Sequence, residues 1–278
     1  MNPANGLKHY GLQIRDDDTE AYVLGGLDAL PQIILQPSGD WSSYLPLYEP
    51  QFGDSWDTAG CTVWGTQNAI EIMLKRVKGV EPNYSERFNY ILADITPPGA
   101  DPHHTIESIR EHGLIDQALL PMTKTYEEFL TPKPMSDELL EEGLKFPFEL
   151  KHEYVWRGSI TQNERVKKIA EALQYSPLGV SVTAWFEENG VFVDRGEPNT
   201  HWCVLFGTDE VNMGWRVFDS YDQSIKTISF GHNIQICKRF HLEPSTKLLQ
   251  VSLLKIIITK LQELINLLKA KIGGIINL

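Results

Sequence analysis

The chain contains few cysteines, and they form no disulfide or metal-binding pattern. Only three occur among 278 residues, at Cys61, Cys203 and Cys237, and no Cys-x-x-Cys pair is present. Three widely separated cysteines cannot build a disulfide framework, so we expect reduced thiols and a reducing compartment such as the cytoplasm. Cys61 stands out because it follows a turn of small residues and precedes a helical stretch.

Long apolar runs, basic clusters and nucleotide-binding glycine motifs are also missing. No uncharged apolar stretch reaches the roughly 18 residues of a transmembrane helix, and the first residues show no signal peptide. A formal net charge of −12 without a basic run argues against a nucleic-acid partner. Adjacent His103 and His104 fit the start of a helix better than a metal site. We therefore predict no metal and no cofactor.

The order of secondary structure predicts an α+β fold. Helical periodicity covers four segments, namely 62–77, 84–94, 105–112 and 163–174. β-rich runs divided by turn residues then follow, namely 179–185, 190–193, 201–207 and 215–222. Helices first and antiparallel strands later are typical of α+β rather than parallel α/β proteins.

The chain is predicted to have three parts: an N-terminal extended segment at 1–40, a main domain at 41–244 and a C-terminal amphipathic helix at 245–278. In that helix an apolar residue recurs every seven positions, at Leu254, Leu261, Leu268 and Ile275. This stripe fits three arrangements, which are packing on its own domain, self-association as a helical bundle, and binding to a membrane surface. The sequence leaves all three open.

Three residues far apart in sequence make a candidate for thiol catalysis. If Cys61 opens a helix, the unpaired N–H groups and the helix dipole favour its thiolate. Such a nucleophile needs an imidazole, and the imidazole needs an orienting acceptor. His201 starts the strand HWCVLFG, and a hairpin would bring Asp219 of WRVFDSYD beside it. We predict Cys61 as nucleophile, His201 as general base and acid, and Asp219 as orienter.

Segments between residues 41 and 222 resemble, in order, those of the papain-like (C1-type) cysteine peptidase family. The matching runs are YLPLYEPQFGD, AGCTVWGTQNAIEIM, HHTIESIREHGLIDQALLPMT, SPLGVSVTAW, GVFV, NTHWCVLFGTDE and WRVFDSYD. The gap of 140 residues between Cys61 and His201 falls within the family's roughly 130–150. The resemblance implies a two-lobed fold, with a helical lobe and an antiparallel β lobe that meet at a cleft.

The resemblance also implies an activity and further site residues. It predicts a thiol protease that cleaves peptide or protein substrates through an acyl-enzyme. Gln51 corresponds to the family's oxyanion-stabilising glutamine, although it lies further upstream of the nucleophile than usual. The predicted substrate-binding residues are Gly60, Trp64, Trp202 and Tyr221.

This sequence departs from the family pattern at several positions. Thr58 replaces a disulfide-forming cysteine, and Asp219 replaces the usual asparagine. Trp202 replaces the small residue after the histidine, which should reshape the pocket for the second substrate residue. Forty residues before the domain are too few for the family's helical prodomain.

Two other functions stay open. The chain is similar to phage-encoded and small-genome bacterial relatives with a Leu/Ile-rich tail. It is therefore also compatible with a virion-associated structural or assembly protein that oligomerises through 245–278. An amidase or acyl transferase would use the same triad.

Overall fold

A computed structural model describes residues 11–14, 24, 29–221 and 224–276. Only parts of the predicted N-terminal segment 1–40 are included in these ranges, so the rest of that prediction lies outside the described residues. Most described helices precede the sheet in the chain, as the sequence predicts. The structure confirms an α+β fold in which helices and an antiparallel sheet share one core.

The four predicted helices are present. The first and the fourth lie within two residues of their expected ends, the second is two residues shorter at each end, and the third begins three residues earlier than predicted. The helices are α1 (Cys61–Lys78), α2 (Glu86–Leu92), α3 (Pro102–His112), α4 (Tyr126–Phe129), α5 (Asp137–Gly143), α6 (Gln162–Ala172) and α7 (Lys247–Ile276). Local signals fix their ends. Asp101 caps α3 through its side chain, with Pro102 in the first turn, and Gly79 closes α1 in a left-handed conformation.

Eight strands form one sheet in the described part of the chain. They are β1 (Phe148–Tyr154), β2 (Leu178–Val182), β3 (Glu187–Glu188), β4 (Val191–Phe192), β5 (His201–Asp209), β6 (Gly214–Phe218), β7 (Ile225–Ser229) and β8 (Cys237–Pro244). Their order is β1-β8-β2-β5-β6-β7-β4-β3, and only the β4–β7 contact is parallel. The sequence did not predict β1, β7 and β8, nor the two-residue strand β3. Buried charged residues such as Glu153 and Arg239 hide the alternation of β1 and β8.

Helix α1 runs through the core and packs against β5. Trp202 of β5 lies against this helix and against β2. A side-chain carbon added at Gly65 or at Gly179 would lie 2.7 or 2.2 Å from the indole ring. The two glycines therefore let the helix and the neighbouring strand approach the ring closely. This packing fixes the first turn of α1 near the start of β5.

Helix α7 continues the chain beyond β8 and contacts the domain mainly near its start. The Lys247 ammonium donates to backbone carbonyls at the end of α3, and Lys255 forms an exposed ion pair with Glu141. The described side chains from Leu253 to Asn266 are exposed on every side of the helix. None of the described helices meets the length and hydropathy needed to cross a membrane.

Candidate active site

Cys61 is the first residue of α1, after a tightly bonded turn. Thr58 accepts a hydrogen bond from the Gly60 N–H, and the Asp57 carboxylate accepts one from the Ala59 N–H. Ala59 itself has a positive φ of 54°. The turn thus presents the thiol at the helix N-terminus, where backbone N–H groups lack helical partners. The N–H groups of Thr62 and Trp202 donate towards the sulfur.

His201 and Asp219 are adjacent, as the hairpin model predicts. His201 is the first residue of β5, and Asp219 follows the last residue of its antiparallel neighbour β6. The ring Nε2 lies 2.5 Å from Asp219 Oδ1, and both side chains are fully buried. The ring therefore meets Asp219 through Nε2, and proton exchange between Nδ1 and the Cys61 thiol stays a prediction.

Asp219 is held by several donors. Its Oδ1 also accepts the Ser220 N–H at 2.8 Å, and its Oδ2 lies 2.6 Å from the Lys226 ammonium. Burial alone would raise the pKa of Asp219, but His201 and Lys226 outweigh it and hold that pKa at about 2. The carboxylate is therefore charged at any physiological pH. Sequence reasoning missed Lys226, which lies on the unpredicted strand β7.

The Cys61 thiol lies in an environment that disfavours an isolated thiolate. Burial raises the pKa of Cys61 strongly, and the negative charges of Asp219 and Asp57 raise it further. The two N–H donors act in the opposite direction but do not compensate. An anionic sulfur at this position therefore needs a paired cation such as an imidazolium, because the two N–H donors do not offset burial.

Gln51 is fully buried and linked to the loop that carries Asp219. Its amide oxygen accepts from Ser220 Oγ at 2.7 Å. Its amide nitrogen donates to Asp57 Oδ1 at 3.2 Å and to the Tyr221 hydroxyl at 3.0 Å. The longer spacing to Cys61 thus does not remove Gln51 from the site region. Asp57 was not predicted, although its place in DTAGC, four residues before the thiol, was a signal for it.

The four predicted substrate-binding residues are all buried and differ in their surroundings. The Tyr221 ring lies 5.5 Å from the His201 ring and stacks on Phe52, which shields the His201–Asp219 pair from water. Trp202 packs in the core, and Trp64 packs near Phe129 in a second apolar cluster. Gly60 is buried in the turn before Cys61. For these residues a role in substrate binding stays a prediction.

A short N-terminal piece lies between the two sides of the site. The Leu12 N–H donates to the Thr200 carbonyl, next to His201. The Gln13 N–H donates to the Ala100 carbonyl, and the Ala100 N–H donates to Gly11. Gly11 also lies so close to Ala59 that a side-chain carbon there would be 1.9 Å from the Ala59 oxygen. This segment therefore contacts the chain next to His201 and close to Cys61, and both of these residues are fully buried.

One cluster elsewhere has ligand types suited to a metal. Donor atoms of His103, Glu107 and His152 all lie within 4.8 Å of one another, the only such group among the residues the structure describes. Its hydrogen bonds already account for two of these side chains. His152 bonds to Glu107 through Nε2 and to the Lys238 ammonium through Nδ1, and Arg110 bonds to Glu107. A cation there would face Lys238 and Arg110, so the arrangement favours an ionic hydrogen-bond network.

The chain matches no family model and no curated protein sequence. Its structure is similar to those of several cysteine proteases. Xylellain from Xylella fastidiosa is 15% identical with a TM-score of 0.61, over 86% of this chain and 97% of that one. Digestive procathepsin L2 from the Tenebrio molitor larval midgut is 13% identical with a TM-score of 0.56, over 84% and 78%.

Bromelain from Ananas comosus, solved in complex with the E64 inhibitor, is 18% identical with a TM-score of 0.53. That match covers 78% of this chain and 100% of bromelain. At these identities the similarity establishes the fold. The chain therefore has the papain-like α+β fold that its sequence predicts.

Proposed function

We propose that this protein is a papain-like cysteine endopeptidase that uses Cys61, His201 and Asp219. One observation carries the proposal. A fully buried His201–Asp219 pair stands at the start of β5, and the N–H of the next residue, Trp202, points at the Cys61 sulfur. A core histidine without a chemical role seldom has a buried carboxylate on one nitrogen and a helix-terminal thiol beside its strand.

In the first half of the reaction, the Cys61 sulfur loses its proton to His201 Nδ1 and attacks the peptide carbonyl carbon. Asp219, bonded to Nε2, orients the ring and stabilises the imidazolium. The carbonyl oxygen takes up negative charge, which the Cys61 N–H and the Gln51 amide stabilise. When the C–N bond breaks, the imidazolium gives its proton to the leaving amine, and a thioester remains on Cys61.

In the second half, water attacks the thioester. His201, now neutral, accepts a proton from that water, and the same oxyanion donors act again. Collapse of the intermediate expels the Cys61 thiolate, which pairs once more with the imidazolium. The acid product then leaves, so the net reaction consumes one peptide bond and one water.

The experiment is hydrolysis of a fluorogenic peptide mixture by wild type, Cys61→Ala and Cys237→Ala. Cys237 is a matched control, because it is a buried thiol on β8. We expect Cys61→Ala to lose at least about 10³-fold in kcat/KM and Cys237→Ala to keep activity if it folds. Hydrolysis that survives Cys61→Ala would end the proposal. Amide products formed with an added amine would instead indicate an acyl transferase.

We further propose that residues 41–244 form the catalytic unit and that 245–278 associates with the same segment of other copies. Nine leucine and isoleucine side chains of α7 between Leu253 and Leu268 are 46% to 58% exposed. Burial of this apolar surface is worth about 25 cal/mol per Å², which favours an intermolecular helix bundle. The sevenfold spacing of Leu254, Leu261 and Leu268 supplies the repeat that such a bundle uses.

Sedimentation analysis of full-length protein, Leu261→Glu and Gln262→Glu tests this association. The two substitutions introduce the same charge at neighbouring exposed positions, one on the apolar stripe and one on the polar face. We expect wild type and Gln262→Glu to form one defined oligomer and Leu261→Glu to dissociate. A monomeric wild type, or equal behaviour of the two variants, would contradict the proposal.

A further inference from the structure

We propose that Lys226 is a positioning residue of this site, which clamps Asp219 and sets the pH range in which Cys61 and His201 form an ion pair. The inference rests on the proposed function, because it assigns a role within the same triad. Lys226 lies on β7, paired across the sheet with Val217 of β6. Its side chain is 4% exposed, and its ammonium is 2.6 Å from Asp219 Oδ2.

The two oxygens of Asp219 have separate partners. Oδ1 faces His201 and the Ser220 N–H, whereas Oδ2 faces Lys226. The carboxylate therefore cannot rotate without breaking a charge-assisted hydrogen bond. Because its ammonium is hydrogen-bonded to Oδ2, Lys226 fixes the orientation in which the Asp219 carboxylate meets the imidazole ring.

Lys226 also changes the charge that His201 meets. A buried carboxylate alone would present a full negative charge to the ring and would attract an imidazolium strongly. An ammonium on the far oxygen balances that charge, so the Asp219–Lys226 pair is neutral as a unit. It offers the ring an acceptor oxygen with little net charge, as a neutral amide side chain would at this position.

The other titratable groups near Asp219, two thiols, a phenol and a second carboxylate, carry no positive charge. Burial raises the pKa of Cys61 on α1 and of Cys203 on β5, and it also raises that of Tyr221. These three are neutral at neutral pH when the sulfur is unpaired. Asp57, whose carboxylate accepts from the Tyr221 hydroxyl, adds negative charge. Besides His201 itself, Lys226 is the cation that lowers the pKa of Asp219.

The Lys226 ammonium has a second contact that holds it in place. It lies 5.1 Å from the centre of the Trp185 ring, and that ring lies 5.6 Å from the His201 ring. A cation over an aromatic face is attracted to it. Lys226, Trp185 and His201 therefore form a packed group around Asp219, which keeps the ammonium beside the triad and away from solvent.

The test is the pH dependence of Cys61 alkylation by iodoacetamide, read by peptide mass spectrometry. This readout needs no peptidase activity. Lys226→Met removes the charge at similar length, Lys226→Arg keeps it, and Lys167→Met on the exposed face of α6 is the matched control. We expect the alkaline limit of the ion pair to move up by roughly one pH unit in Lys226→Met only.

A double variant, Lys226→Met with Asp219→Asn, replaces the neutral ion pair by a neutral amide. We expect its alkaline limit to return to within about 0.3 pH units of wild type. An unchanged limit in folded Lys226→Met would overturn the inference. If that variant does not fold, the double variant decides: a limit displaced from wild type by a full unit would overturn it.

The two proposals fail separately. If alkylation shifts as expected but peptides are not cleaved, the endopeptidase proposal fails and the role of Lys226 stands. If Cys61-dependent cleavage is found and neither its pH profile nor the alkylation profile moves in Lys226→Met, the role of Lys226 fails alone.

Discussion

The Gln51 side chain is held by a hydrogen-bond network that joins the turn before Cys61 to the loop after β6. Ser220 Oγ fixes its amide oxygen, so the amide nitrogen must face the side of Asp57 and Tyr221. That orientation follows from the donor rules, because Asp57 can only accept. The amide nitrogen is thereby held beside Asp57, in the turn that leads to Cys61, and its use as an oxyanion donor stays a prediction.

We therefore predict that Gln51→Ala lowers kcat for peptide hydrolysis by about 10²-fold with a smaller change in KM. Ser220→Ala is the matched control, because it frees the amide oxygen but keeps the N–H donor. We expect it to lose only about tenfold. Steady-state kinetics on one fluorogenic peptide measures both. Equal activity of Gln51→Ala and wild type would remove Gln51 from the oxyanion site.

The element of most consequence for access is the N-terminal piece at 11–14. Its backbone bonds to Thr200 on one side of the site and to Ala100 on the other. Its closest contact requires Gly11, which has a φ of 76° and almost touches the Ala59 carbonyl. A side chain at residue 11 would force the segment away, since neither backbone can yield without moving the turn before Cys61.

Gly11→Ala is accordingly predicted to expose the thiol. We expect Cys61 to be alkylated by iodoacetamide at least about tenfold faster than in wild type. Gly190→Ala is the control, because Gly190 has a similar φ of 82° and open space around it. Rates followed by mass spectrometry should separate the two variants. Equal rates would mean that the segment does not limit access to the sulfur.

At the scale of the whole molecule, buried carboxyl groups set how stability changes with pH. Glu71 on α1 and Glu86 on α2 are both buried. Burial raises the pKa of Glu86, and the neighbouring charges of Glu49 and Glu71 raise it further. The folded state therefore keeps a proton that the unfolded chain loses above a pH of about 4.5. Stability from this group is present below that pH and declines as the pH rises.

Glu86→Gln should thus stabilise the protein more at pH 8 than at pH 4.5. We expect its melting temperature to exceed that of wild type by about 3 °C or more at pH 8, with the difference shrinking towards acid pH. Glu187→Gln, at an exposed position of β3, serves as control. Calorimetry gives the melting temperature of each variant between pH 4.5 and pH 8. If both variants melt at the temperature of wild type at every pH, the role of Glu86 is contradicted.

The sequence predicts individual helices and strands more reliably than it predicts contacts between residues that are far apart in the chain. Helical spacing and caps predict α1 and α3, and strand patterns predict β5 and β6. Spacing and thiol chemistry predict the roles of Cys61, His201 and Asp219, and the resemblance adds the order of the segments and the predicted role of Gln51. The sequence does not predict the role of Lys226 for two reasons. Lys226 lies on β7, where a buried lysine obscures the apolar alternation, and its partner Asp219 lies across a turn. The sequence does not predict the position of residues 11–14 because their contacts are backbone hydrogen bonds, which leave no side-chain pattern.

The central claim, that Cys61 is a nucleophile paired with His201, is tested most directly by trapping it. An epoxide thiol inhibitor should add once per chain at Cys61, and hydrolysis should be lost in proportion to the adduct. His201→Ala should form the adduct at least about 10²-fold more slowly, because its sulfur has no imidazole to take the proton. Modification elsewhere with activity retained, or an unchanged rate in His201→Ala, would contradict the claim.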